Sequence, residues 1–117
     1  MRKLLIVDYN GVLTLYLDPV DVLLRMRHKG WAIVLWAGGY PDIIESYHPG
    51  ILAAIDQFVD KLVMPEDFVP PFGPLSEVLL CDDHRFIVGS TLNWAAHTRK
   101  EPWTAITPEG LREIANA

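Results

Sequence analysis

The chain has 117 residues, half of them hydrophobic and 21% charged, with a net charge of −5. That length suits one domain over residues 1–117 with a real core, and the acidic balance excludes strong non-specific nucleic-acid binding, which depends on neutralising phosphates. No apolar run approaches the roughly 18 residues of a membrane span, and Cys81, the sole cysteine, excludes an intrachain disulfide and suits a reducing cytoplasm.

Lys3 to Asp8 reads as the first strand. Leu4, Leu5, Ile6 and Val7 are apolar in succession, as in a strand covered on both faces. The run stops at Asp8, too soon for a signal peptide. Asn10-Gly11 offers a turn. Asp18-Pro19 opens a helix, with Asp as N-cap and Pro first inside, and Gly30 stops it after Lys29. Val20, Leu23, Leu24 and the stem of Arg27 are expected on its inner face. Trp31 to Trp36 reads as the second strand and Ala37-Gly38-Gly39 as a flexible turn. A short helix is predicted from Pro41-Asp42 toward Tyr47, and another helical turn or two from Ile51 to Phe58.

Asp60 to Met64 is expected as a short third strand. Pro65 to Pro74 holds four prolines and is expected to be irregular, with Pro70-Pro71 outside any helix. Glu77 to Cys81 reads as the fourth strand, Ser90 to Arg99 as a helix and Trp103 to Ile106 as the fifth strand. Thr107-Pro108 starts the last helix. No repeat or linker divides the chain. Strands alternating with helices predict βαβ units, a parallel sheet of about five strands and a three-layer α/β/α sandwich.

In such sheets ligands bind beyond the carboxyl ends of the strands, where the strand order reverses. The first strand ends at Asp8, the second at Ala37-Gly38-Gly39 and the fourth at Asp82-Asp83. Three carboxylates in one crevice repel one another, and a hard divalent cation removes that penalty; Mg²⁺ commonly takes one or two carboxylates together with water and phosphate. A carboxylate beside such an ion can attack phosphorus. The plainer reading is that these acids only end strands and cap turns. His28, His48, His84 and His97 lack metal-ligand spacing, Cys81 reads as a core residue, and neither a P-loop nor a G-x-G-x-x-G motif is present.

Leu4 to Leu13, an apolar strand running into Asp8-Tyr9-Asn10-Gly11, resembles the first motif of the haloacid dehalogenase (HAD) superfamily. Ile33 to Gly38 is similar to the second motif, Lys61 stands where the third-motif cation would be, and Val78 to Asp83 resembles the fourth. Asn93, Ala96 and the strand from Trp103 follow the same run, so the resemblance spans nearly the whole chain. It implies a Rossmannoid fold, and the short segments after Gly11 and at Pro65 to Pro74 imply that no cap domain is inserted.

By that resemblance Asp8 would be the nucleophile and a Mg²⁺ ligand. The carbonyl of Asn10, with Asp82 and Asp83, would complete the metal site. Lys61 would balance charge, with His84 and Arg85 as rival cations, and Ala37, Gly38 and Gly39 would form the phosphate-binding turn, with the backbone N–H groups of Gly38 and Gly39 on phosphate oxygens. Two positions depart from the pattern. Asn10 stands where phosphatases of this type carry an acid–base Asp, and losing such a group typically costs about 10²–10⁴-fold. Ala37 stands where a Ser or Thr hydroxyl would meet phosphate.

Two functions follow as expectations. One is a Mg²⁺-dependent phosphohydrolase acting through an aspartyl phosphate on Asp8. The other is a catalytically impaired domain of the same fold that binds metal, phosphate or a protein. Capless relatives tend to act on macromolecules or to borrow a lid, so a phosphorylated macromolecule, a protein partner or a second copy is expected over the open site. Tyr16, Tyr40, Tyr47, Phe68, Phe72 and Trp94 are the aromatics available to line that surface, or else to pack inside. A response-regulator receiver fits less well, because there the paired acids follow the first strand and the phosphorylated Asp comes later.

Overall fold

The computed structural model describes all of residues 1–117. Five strands form one parallel sheet: β1 (Arg2–Val7), β2 (Trp31–Ala37), β3 (Gln57–Asp60), β4 (Leu75–Cys81) and β5 (Trp103–Ala105). Their order across the sheet is β3-β2-β1-β4-β5, with every neighbouring pair parallel. The helices are α1 (Pro19–His28), α2 (Pro41–Tyr47), α3 (Pro65–Phe68), α4 (Arg85–Thr98) and α5 (Pro108–Asn116), and three short 3₁₀ turns join them.

Strand periodicity sorts the core into two. Leu5, Val7, Ile33 and Leu35 face one side and pack with Val22, Leu23 and Met26 of α1, Ile44 of α2, and Leu111 and Ala115 of α5. Leu4, Ile6, Val34 and Trp36 face the other and pack with Phe68, Val69, Val78 and Leu80, with Ile87 and Val88 of α4 against them. Successive side chains alternate between faces, so strands apolar throughout need cover on both sides. This is the three-layer α/β/α sandwich.

Local chemistry sets the helix starts. Asp18 accepts from the Asp21 N–H at 3.1 Å and Thr107 from the Gly110 N–H at 3.0 Å, each just before a proline at the first helical position. The inner face of α1 differs from the expectation. Val22, Leu23 and Met26 are buried, whereas Leu24 is half exposed and Val20 only partly covered. The helix is rotated so that Met26, which reaches further, fills the space over the sheet.

Three other expectations shift. The third strand is Gln57–Asp60, not Asp60–Met64. Asp60 Oδ1 accepts from Leu62 N–H and the Asp60 carbonyl accepts from Val63 N–H, so Asp60 turns the chain instead of starting a strand. The helical turns expected over Ile51 to Phe58 shrink to Leu52–Ala54. Asp56 is then tied to β2, accepting from Ile33 N–H and donating its own N–H to the Ile33 carbonyl. Pro65 to Pro74 carries α3 and a 3₁₀ turn, Pro70–Phe72. Both prolines sit in the first positions of that turn, where no N–H donor is required. Helix α4 begins at Arg85 rather than Ser90, because the His84 side chain caps it by accepting from Ile87 N–H.

Candidate functional site

The strand order reverses at β1: β2 and β3 lie to one side of it, β4 and β5 to the other. Val7 of β1 is in register with Cys81 of β4, so the next residues, Asp8 and Asp82, leave the sheet side by side. The Asp8 N–H donates to the Cys81 carbonyl at 2.9 Å and extends the pairing one residue past the strand. Carboxylate oxygens of Asp8, Asp82 and Asp83 all lie within 4.8 Å of one another. The acids at two of the three strand ends thus form a single cluster.

Lys61 enters from the end of β3. Its N–H donates to the Ala37 carbonyl, which holds it beside β2. Its ammonium donates to the Trp36 carbonyl at 3.2 Å, lies 3.3 Å from Asp8 Oδ1 and forms an ion pair and hydrogen bond with Asp82 Oδ2. It also sits over the Trp36 ring, 4.6 Å from the centroid. Lys61, and not Arg85, is the cation lodged between the two acids. His84 is used as the cap of α4. Arg85 heads that helix and lines a separate cavity with Asp82 and Asp83.

Opposing forces set the charge on Asp8. Burial raises its pKa, Lys61 lowers it and the Asp82 charge raises it again, leaving it at about 6. Asp8 Oδ1 accepts from the Tyr9 N–H at 2.8 Å. With Oδ1 engaged by Tyr9 and Lys61, Oδ2 is the oxygen left to face a ligand. The Asp82 side chain is 1% exposed; its Oδ1 accepts from the His84 N–H and its Oδ2 holds Lys61. Asp83 is exposed and lies against Gly11. A Cβ at Gly11 would land on the Asp83 carboxylate, and the Gly11 φ of 76° suits glycine. The first turn and the acidic pair are thus fitted to each other at this position.

The donor set is carboxylate oxygen without imidazole or thiolate. Cys81 is buried in β4, and burial together with the acid charges pushes its thiol up to about 12, which removes it as a nucleophile or ligand near neutral pH. Such hard oxygen donors fit a hard divalent cation.

The remaining expected residues fall beside this cluster. Ala37 is buried at the end of β2 with its carbonyl engaged, so its methyl offers nothing to a ligand. Gly38 and Gly39 form an exposed bend and share a cavity of about 370 Å³ with Asn10. Tyr9, Tyr40, Ile43 and Tyr47 line the same cavity, and the Tyr9 hydroxyl is 2.8 Å from His48 Nε2. Sequence reasoning had not placed Tyr9 or Ile43 there; the signal was their position directly after Asp8 and inside the helix following Gly38-Gly39. Among the aromatics considered for a partner surface, Tyr40 and Tyr47 are 73% and 72% exposed. Phe68 is buried against Trp36. Tyr16, Phe72 and Trp94 are partly covered; the Tyr16 hydroxyl donates to the Pro108 carbonyl, and Trp94 packs edge-on to Trp103.

No family model matches the chain, and no curated protein matches it. The solved structure of MT0777 is similar over 98% of this chain and 94% of that one, with a TM-score of 0.51 and 15% sequence identity. At that identity the likeness bears on the fold alone, and it agrees with the parallel α/β sandwich. No helix is long and apolar enough to cross a membrane.

Proposed function

We propose that the chain is a Mg²⁺-dependent, HAD-like phosphohydrolase in which Asp8 attacks phosphorus. The observation that carries this reading is the Lys61 ammonium set between Asp8 and Asp82 where the three carboxylates converge. A lysine bridging acids that only end strands has no need of a third, exposed carboxylate fitted against Gly11.

Asp8, Asp82, Asp83 and the Asn10 carbonyl would hold the ion, which when bound neutralises phosphate oxygens and lowers their repulsion of an attacking carboxylate. Asp8 Oδ2 forms the bond to phosphorus and the bond to the leaving oxygen breaks. Tyr9 N–H and Lys61 hold Oδ1 and fix the carboxylate plane. N–H groups of the Gly38-Gly39 bend donate hydrogen bonds to the phosphate oxygens. Water then attacks phosphorus, releasing phosphate and the Asp8 carboxylate. The substrate is a phosphorylated compound or macromolecule, and the exposed Tyr40 and Tyr47 support an occupant or partner chain lying across the open site. The proposed compartment is the cytoplasm, in keeping with a single buried thiol.

Asn10 and the buried Ala37 methyl favour a second reading, an impaired domain that binds metal, phosphate or a protein without turnover. The test compares this chain, Asn10→Asp and Asp8→Ala with an aryl phosphate and Mg²⁺. Turnover by this chain, lost in Asp8→Ala, supports the enzyme. No turnover here with recovery in Asn10→Asp supports the impaired domain. No activity in any variant, with no Mg²⁺ binding by calorimetry, overturns the site.

A further inference from the structure

Two independent features limit what the leaving group can be. The first is chemical. Asn10 carries no proton that it can give up, so a leaving oxygen must depart without help from that position. An aliphatic alkoxide is too basic to do so readily. A phenoxide, whose conjugate acid has a pKa of about 10, is a far better leaving group.

The second feature is the cavity that begins at Asn10 and Gly38. Tyr9, Tyr40, Ile43 and Tyr47 form its walls, and none of the residues lining it is charged. Tyr40 and Tyr47 are largely exposed, so flat aromatic and aliphatic surfaces stand open to solvent beside the phosphate position. The cavity on the opposite flank is different, lined by Asp82, Asp83 and Arg85. A nucleoside polyphosphate also leaves unprotonated, but it would bring further negative charge into a pocket whose lining offers no cation, and a small acyl group would leave the aromatic walls uncovered. A neutral ring gains by stacking and by leaving water.

Resting on the phosphohydrolase reading above, we infer that the substrate is the phosphate ester of an aromatic alcohol, its ring held between Tyr40, Tyr47 and Ile43. In the first step the bond from Asp8 Oδ2 to phosphorus forms as the phosphorus–aryloxide bond breaks. The aryloxide takes the electron pair and is protonated by solvent. In the second, water attacks phosphorus and the bond to Asp8 breaks, giving inorganic phosphate, the free carboxylate and a proton to solvent. Asn10 cannot activate that water either, so the second step is the slower one. The aromatic alcohol is either a free small molecule or a tyrosine side chain in a peptide, since both present the same ring.

The experiment uses the intact chain with Mg²⁺ and four probes: nitrophenyl phosphate, phenyl phosphate, glycerol phosphate and acetyl phosphate. Expected are a burst of about one equivalent of nitrophenolate and a first-step (burst) rate that falls steeply with leaving-group basicity. Asn10→Asp should raise the first-step rate with glycerol phosphate by about 10²-fold, the usual worth of a general acid, and that with nitrophenyl phosphate far less, while the second step speeds up for every probe. Tyr40→Ala with Tyr47→Ala should raise KM for phenyl phosphate by about 10-fold, the worth of a lost aromatic contact, and leave that for acetyl phosphate unchanged. A phosphotyrosyl peptide competing better than phenyl phosphate assigns the peptide source, and the reverse the small molecule.

Equal first-step rates for phenyl and glycerol phosphates, or a KM indifferent to both tyrosines, overturn the inference while acetyl phosphate still labels Asp8. Absence of label on Asp8 from every probe overturns it together with the phosphohydrolase reading.

Discussion

At Asp8, charge is held against its own preference. Burial and the neighbouring Asp82 keep its pKa at about 6, above the ordinary 3.8, even with Lys61 pulling it down. A raised carboxylate pKa means that the folded state binds the proton more tightly than the unfolded one. Its destabilising effect is present above about pH 6 and gone below about pH 4. Asp8→Asn should therefore stabilise the metal-free protein at neutral pH, by on the order of 1 kcal/mol after allowing for partial solvation, and change little at about pH 4. Thermal unfolding at the two pH values checks this. Lys61→Met should act in the opposite sense. It leaves Asp82, almost wholly buried, without its cation, and should cost on the order of 2 kcal/mol at neutral pH. Asp8 would then titrate higher than about 6, measurable by carboxyl NMR. That both acids stand at strand ends could be read from sequence, because each ends an apolar run. The weights of burial, Lys61 and Asp82 at Asp8 could not, because they depend on distances between residues far apart in the chain.

The elements show where pattern suffices and where it fails. β1, β2 and β4 were legible because continuous apolar runs need cover on both faces. α1 and α5 were legible because Asp18-Pro19 and Thr107-Pro108 cap them; Asp18→Ala should cost about 1 kcal/mol in chemical denaturation. β3 was displaced because Leu62-Val63-Met64 is apolar enough to pass for a strand, although Asp60 caps a turn there and Leu62 is exposed. The start of α4 was missed because His84 was weighed as a charge rather than as a cap. In the turn after β1, Gly11 is fixed by a distant partner. Gly11→Ala should force Asp83 away and strain a positive φ. The expected results are a loss of about 1–2 kcal/mol in stability and weaker Mg²⁺ binding by calorimetry.

Over the whole molecule, the site is a consequence of strand order. β1 is the pivot, and only its adjacency to β4 places Asp8 beside Asp82. A ligand that binds there and not to the unfolded chain must stabilise the fold. Mg²⁺ at about 100 times its Kd should add about 2.7 kcal/mol, seen as a rise in Tm that Asp82→Asn abolishes. An unchanged Tm across a Mg²⁺ titration would count against the metal site.

The sequence by itself determined the alternation of strands and helices, the burial of the central strands and the acids at the ends of β1 and β4. Those are local properties: side-chain period, capping and the solvation of carboxylates. It also carried the chemical limit at Asn10, since a side chain without a titratable proton has none in any fold. Only the tertiary structure decided that Lys61 rather than Arg85 lies between the acids, that Gly11 and Asp83 fit together, and that Tyr40 and Tyr47 open a neutral cavity beside Asn10. Those facts join residues separated by long stretches of chain, and it is the parallel crossovers and the pivot at β1 that bring them within reach of one another.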